Sequence, residues 1–341
     1  MFSDDVSSGS SVVIVGAGLS GLVAANTLAL GGVRSVVVDK GRSPGGRLAT
    51  RRMPGSGGVT ARLDHGAQFF TVRSPDFAEL VHEWRRAGLV SEWCRGFGDR
   101  ADGYPRYCIE GGMNTIAKYL ASTAEVHCGR TIHAIAGFDE MLSVSTADGE
   151  RWESRVVIAT PPVPQTLALC ENGWLPIPED QEAALRSMTY APCLALLVTI
   201  EGESAVPFPG GLQLDSSLDP TFSFVGDNRA KGISEVGALT FHANETVSAK
   251  RYEDADNLTR AYLLAEANRY LGSATVLGVE LKKWRFARPV RGYAGSCLNI
   301  EPIPGTQLVF AGDGFGEAKV EGAALSGLAA AEQVLASGLL R

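Results

Sequence analysis

Three glycines and one aspartate near the start of the chain are the first residues whose spacing can do chemistry. Gly16, Gly18 and Gly21 form a Gly-x-Gly-x-x-Gly turn after the apolar run Val12-Val13-Ile14-Val15, and an Ala-rich stretch follows. That order predicts a short buried strand feeding a helix. Gly16 permits the tight turn, Gly18 lets backbone approach a pyrophosphate at the helix N-terminus, and Gly21 lets the helix pack on the strand. Gly31-Gly32 closes the helix, Ser35 to Val38 reads as a second strand, and Asp39 stands at its end. A carboxylate there accepts hydrogen bonds from both ribose hydroxyls of an adenosine and repels a 2′-phosphate. The pattern fits FAD or NAD and not NADP.

Two further segments separate those cofactors. Gly45-Gly46-Arg47 follows the ribose acid closely, where a second loop would wrap a longer dinucleotide and Arg47 would neutralise its pyrophosphate. Arg51 and Arg52, each taken alone, read as solvated surface. Near the other end, Thr306 to Ala311 reads as a strand entering Gly312-Asp313-Gly314-Phe315-Gly316, and a helix runs from about Val320 to Ser337. Asp313 is placed for a ribityl chain or pyrophosphate. The helix start, with Glu321-Gly322-Ala323, would turn backbone N–H groups to the pyrimidine edge of a flavin and stabilise its reduced anion. Together the three segments favour FAD.

Positioning these segments calls for a discontinuous domain. At 341 residues the chain is long for a single core. Glu125 to His127, Ile132 to Ile135, Leu142 to Thr146 and Arg151 to Glu153 read as short strands, a meander turning at Asp148-Gly149. Val156 to Ala159 reads as a buried strand stopped by Pro161-Pro162, the expected domain boundary. Strands at Cys193 to Ile200 and Val236 to Ala243 and a helix from about Ala255 to Leu271 fill an inserted domain. The expected class is α/β: a discontinuous Rossmann-like FAD-binding domain (1–75, 105–160 and 282–341) with an inserted α+β substrate-binding domain (76–104 and 161–281).

Composition narrows the partners. With 45% apolar and 20% charged residues, a net charge of −7 and scattered Lys and Arg, no basic stripe offers a nucleic-acid or anionic-membrane footprint. No apolar run is long enough to span a bilayer. Met1 to Ser11 is short, polar and acidic, and reads as a frayed tail and not a secretory signal. Six cysteines without a CxxC pair or metal-like spacing fit reduced thiols in a cytosol, with no metal. Cys297 in particular reads as a small buried hydrophobe. A small-molecule partner is expected; the oligomeric state is not encoded in any of these features.

With these residues in hand, the chain resembles the renalase family, of the bacterial type, within the amine-oxidase-like flavoproteins (amine oxidase/p-hydroxybenzoate hydroxylase-like fold). The carriers are the glycine turn with Asp39-Lys40, Gly45-Gly46-Arg47 through Arg52, and Leu63-Asp64-His65-Gly66-Ala67-Gln68-Phe69-Phe70-Thr71-Val72-Arg73. Later carriers are Phe241-His242-Ala243, Trp284 to Pro289, and Ala311 to Gly316 with Val320 to Gly327. The resemblance implies a noncovalent FAD enzyme that oxidises the 1,2- and 1,6-dihydro isomers of NAD(P)H to NAD(P)+ and passes electrons to oxygen, giving hydrogen peroxide. It also implies cofactor contacts at Lys40, Gly46, Asp64, His65, Gly66, Ala67, Ile132, Ala159, Val320 and Ala323.

Hydride transfer from a dihydropyridine needs positioning and electrostatics more than acid–base machinery. The expected site is therefore a flat aromatic slot with a few polar groups, and the candidates are Gln68, Phe70, Arg73, His242 and Trp284. Each has a plainer alternative: core for Phe70, Trp284 and His242, an ordinary salt bridge for Arg73. His82, His127 and His133 have no constellation around them. Two other enzyme readings share the fold, a flavin amine oxidase and a flavin dehydrogenase or desaturase of a hydrophobic substrate. A third is a non-catalytic flavin-binding module.

Overall fold

The structure, a computed structural model, describes residues 11–98 and 102–340. The tail expected over Met1 to Ser11 thus lies outside the described residues except for Ser11, whose N–H donates to the Arg34 carbonyl at 3.0 Å. The chain forms two compact units, residues 1–46, 117–189 and 289–341 in the first and 47–116 and 190–288 in the second.

The first unit is built on a six-stranded sheet in the order Leu298–Ile300, Gln307–Phe310, Val156–Ala159, Val12–Val15, Ser35–Asp39 and Glu125–Cys128. All neighbours are parallel except the first pair. The near-continuous Val and Ile runs answer to this: strands inside a parallel sheet bury both faces, and Val12–Val15 is buried at all four positions. The helix Leu19–Leu30 lies against the helix Val320–Ala336. Gly327 makes that approach possible, since a Cβ on it would stand 2.1 Å from the Ser20 carbonyl oxygen. The antiparallel meander holds Ile132–Phe138, Met141–Thr146 and Arg151–Ser154. Glu125–Cys128, read as part of it, instead extends the parallel sheet.

Pro161-Pro162 does not lead out of this unit. Pro162 precedes a helix, Val163–Asn172, whose Val163, Leu167 and Cys170 join the core with Ile135 and Leu142. Pro162 is the N-cap and Pro164 lies in the first turn, where a proline loses no hydrogen bond and has its φ already set, so these prolines start an element and do not end a domain. Residues 161–189 therefore belong to the first unit, and 47–75, 105–116 and 282–288 to the second.

The second unit carries a five-stranded sheet in the order Gly211–Gln213, Phe222–Asp227, Ala238–Ala243, Thr189–Glu201 and Thr275–Arg291. Leu263, Ala267 and Leu271 of the helix Asp256–Leu271 cover it, packing on Leu196, Val198, Phe222 and Phe241. The hairpin Thr50–Pro54/Thr60–Asp64 contributes Met53, Ala61 and Leu63 against Leu197 and Ala238.

Candidate active site

In the first unit the glycine turn has the geometry of an anion cradle. Gly16 takes φ +103°, and a side chain on it would meet Thr160 Oγ1 at 2.4 Å. Thr160 Oγ1 donates to the Val15 carbonyl at 2.9 Å, so this threonine, missed in the sequence, braces the turn. Gly18 starts the helix with no side-chain cap, and a Cβ on it would meet nothing within 4 Å. The helix's first N–H groups therefore have no capping side chain, with the positive end of the dipole behind them. Ser20 Oγ, in the first turn, is buried without a partner.

The Asp39 carboxylate accepts from Ala17 N at 2.7 Å and Gly41 N at 2.6 Å, one bond to each oxygen. An ionised carboxylate has about four lone-pair directions, so each oxygen retains capacity for a ribose hydroxyl. Gly45 N donates to the Ala17 carbonyl at 2.9 Å, and a Cβ on Gly46 would lie 3.4 Å from Gly18 Cα, which brings the second loop onto the first. Lys40 beside them is exposed, and Ile132 and Ala159 lie at a meander strand and a sheet strand end. Gly312, at φ +128°, packs on the Thr160 carbonyl, and Asp313 follows it. Glu321 is buried in the first turn of the last helix, where a carboxylate complements the N-terminal dipole. Val320 and Ala323 flank it. An open cradle, an acid with spare acceptor capacity and an orphaned hydroxyl fit FAD.

In the second unit the segment 63–70 organises everything. Asp64 is fully buried, and its carboxylate is engaged inside the unit. Oδ1 accepts from Thr50 Oγ1 at 2.6 Å and Met113 N at 2.8 Å, and Oδ2 meets Lys231 Nζ at 2.7 Å. Its main chain is held as well: N donates to Asn228 Oδ1 at 3.3 Å, and O accepts from Gln68 Nε2 at 2.7 Å and Thr240 Oγ1 at 2.8 Å. Asp64 thus acts through position, fixing His65 to Gln68, and not through a free carboxylate. Thr50 lies opposite Asp64 in the hairpin register, a signal the sequence carried. Lys231 lies 167 residues away and left none.

His65 stacks on Trp284 with ring centroids 5.3 Å apart, and Trp284 Nε1 donates to the His65 carbonyl at 2.9 Å. Gly66 is required because a Cβ there would stand 2.0 Å from the Arg47 carbonyl, which accepts from Ala67 N at 2.8 Å. Arg47 itself donates from Nη1 to the Phe286 carbonyl at 3.2 Å. Gln68 Nε2 approaches His242 Nε2 at 3.4 Å, and the His242 ring lies 5.9 Å from that of Phe224.

Phe224 opens onto an aromatic group with Phe69, Trp93 and Phe97, each pair of neighbours 5.0 to 6.2 Å apart between centroids. The structure therefore brings together Gln68, His242, Trp284 and His65. It does not include Phe70. That ring is buried against Phe77, Trp84 and Tyr107, because the extended backbone bridging Tyr107 turns successive side chains to opposite faces. Phe69 is the member of the pair that joins the aromatic group of Phe224. Arg73 is exposed, with its guanidinium 4.1 Å over the Tyr104 ring. Trp93, Phe97 and Phe224 were not singled out from the sequence, since aromatic residues on strands and loops are usually core.

Both slot histidines are held neutral. Burial, then the nearby charge of Lys282, pulls His65 down to about 3. Burial of the His242 ring pulls it down to about 4 against a hydrogen bond to the His65 main chain, with Lys231 adding to the fall. An unfolded histidine takes its proton near 6.5. Between those values the unfolded chain binds more protons, so the contribution is complete above about pH 6.5 and is lost as the pH falls toward 4. The urea midpoint is expected to drop over that window, and to drop less in His242→Asn; equal slopes in both proteins would contradict the assignment.

The first unit carries a Rossmann cradle that fits FAD, and the second sets two neutral histidines beside a group of packed aromatic rings. Residues 14–84 match NAD(P)-binding Rossmann-like domains and residues 77–335 match the flavin containing amine oxidoreductases. The chain belongs to the flavin containing amine oxidoreductase family and is an FAD-dependent oxidoreductase. It is 27% identical to renalase of Mus musculus, over 94% of this chain and 97% of that protein. Among solved structures it resembles putrescine oxidase bound to putrescine (TM-score 0.68, 15% identity, covering 96% of this chain and 99% of that one). It also resembles an oxidoreductase from Methanosarcina mazei (TM-score 0.61, 17% identity, covering 94% and 99%). Among the described residues no helix is long and apolar enough to cross a membrane, and no group of His, Cys, Asp and Glu could hold a metal ion.

Proposed function

We propose that this flavin oxidase oxidises the 1,2- and 1,6-dihydro isomers of NAD(P)H to NAD(P)+, with oxygen as the acceptor. The observation that carries the reading is the slot: Gln68 and two histidines held neutral, beside four aromatic rings. FAD held there would supply the two-electron chemistry, so that the ring's hydride, O2 and one further proton from solvent together give NAD(P)+ and H2O2. The chain's own residues bind and orient. The rings of Phe69, Trp93, Phe97 and Phe224 offer flat apolar walls for a heteroaromatic ring and exclude water. Neutral His242 and His65 place no positive charge beside a ring that becomes cationic as it loses hydride. Asp39, the cradle glycines, Asp313 and the start of the last helix would hold the cofactor. Trp284, by clamping the His65 carbonyl, keeps the slot's floor in place. Arg73, exposed on Tyr104, is proposed for a phosphate of the dinucleotide.

Anaerobic mixing tests this. Flavin absorbance near its long-wavelength band is expected to bleach fully and rapidly with either dihydro isomer and not with a panel of primary amines. Bleaching by amines alone would replace this reading with amine oxidation.

A further inference from the structure

Gln68 is 6% exposed, and its Oε1 is buried with no hydrogen-bond partner. Its orientation is not interchangeable with the flipped amide. The nitrogen faces the main-chain carbonyls of Asp64 at 2.7 Å and Gly66 at 3.2 Å, and a carbonyl oxygen can only accept. Both amide hydrogens are therefore committed, and Oε1 must point the other way. There it meets Gly226, on the strand Phe222–Asp227: a Cβ on that glycine would stand 3.5 Å from Oε1 and 2.8 Å from the Phe224 ring. Only a glycine at 226 lets the Phe224 ring pack this closely on the strand beside the acceptor, so Oε1 sits at the edge of the aromatic group. Leaving a buried carbonyl oxygen unsatisfied costs about 1–3 kcal/mol.

We infer that Gln68 Oε1 is a specificity acceptor, reading an N–H donor on the substrate ring, and that the donor is a primary carboxamide. This rests on the dihydronicotinamide reading and adds what that reading leaves open, namely which residue reads the ring's carboxamide and how strictly. A carboxamide offers two donors on a flat group that continues the plane of its ring. A carboxylate in the same place would set acceptor against acceptor, and a dialkyl amide would bring no donor at all. Sites built around a buried hydrogen bond reject analogues that cannot complete it more strongly than apolar pockets reject a misfit. Gln68 is then a residue that touches substrate, held in register by the same Asp64 carbonyl that Thr240 supports.

The test is equilibrium binding to the FAD holoenzyme by isothermal titration calorimetry. The ligands are oxidised nicotinamide mononucleotide, nicotinic acid mononucleotide and the N,N-dimethylcarboxamide analogue. The native protein is expected to bind the primary carboxamide at least about tenfold more tightly than either other ligand. In Gln68→Met, which keeps the side chain's length and removes the acceptor, the ratio is expected to collapse to within about threefold, from weaker carboxamide binding. Equal binding of the three by the native protein, which needs no variant to fold, would overturn the inference. So would a ratio that survives Gln68→Met. Bleaching by dihydro isomers with no carboxamide preference removes only the role of Gln68. A carboxamide preference without bleaching removes the proposed reaction and leaves the acceptor in place.

Discussion

Lys231→Met is expected to lower the stability of the second unit by about 3–5 kcal/mol, read as a shift of the urea midpoint for the transition that reports it. The reason is the environment of the partner. Asp64 and Lys231 have side-chain exposures of 0% and 1%, with Nζ 2.7 Å from Oδ2. Removing the ammonium leaves a carboxylate with no water and no counter-charge, while Thr50 and Met113 stabilise only the other oxygen. Asp64→Asn combined with Lys231→Met is expected to recover a large part of the loss, since breaking a buried pair is more damaging than deleting it. A double variant as unstable as Lys231→Met alone would show that packing beside Trp93, whose ring lies 5.4 Å from Nζ, dominates instead.

Gly21→Ala is expected to give a protein purified largely without flavin, with the ratio of flavin to protein absorbance reduced about tenfold or more. A Cβ on Gly21 would lie 2.0 Å from the Gly16 carbonyl oxygen and 3.3 Å from Ile14 Cγ2. Backbone cannot swing aside as a side chain can, so the helix must back away from the strand, and overpacking of this kind costs about 1–3 kcal/mol. Gly18→Ala is the informative contrast. Its Cβ would meet no protein atom within 4 Å, so the fold is expected to keep its thermal midpoint while flavin binding weakens. Identical thermal losses in the two variants would show that the Gly18 position serves packing and not a ligand.

Much of the first unit was legible because its signals are local. Val12 to Asp39 contains strand, turn, helix, strand and acid within 28 residues, and each glycine's task follows from backbone geometry alone. The segment Leu63 to Arg73 was legible as a motif, but its division of labour was not. Phe69 and Phe70 are the same residue type side by side, and only the bridge to Tyr107 decides which one joins the aromatic group of Phe224. Asp64 was named as a cofactor contact by resemblance alone; its ion-pair partner Lys231 lies far along the chain, where no spacing rule reaches. The proline pair at 161 and 162 can stop a strand or start a helix, and the apolar positions of Val163 to Cys170 decided for the helix.

The chain passes between its two units at residues 46–47, 116–117, 189–190 and 288–289. The order of manufacture is then the reverse of what the motif order suggests. During synthesis from the N-terminus, the second unit has all its segments once residue 288 has emerged. The glycine turn, made first, still waits for the helix carrying Gly327 to press on Ser20. Pairing across nearly the whole chain length slows folding, and exposed sheet edges invite aggregation in the interval. Flavin capture is therefore expected only once the last helix has been made, and flavin supply in an expression host is expected to affect the yield of native protein more than the rate at which chains are made.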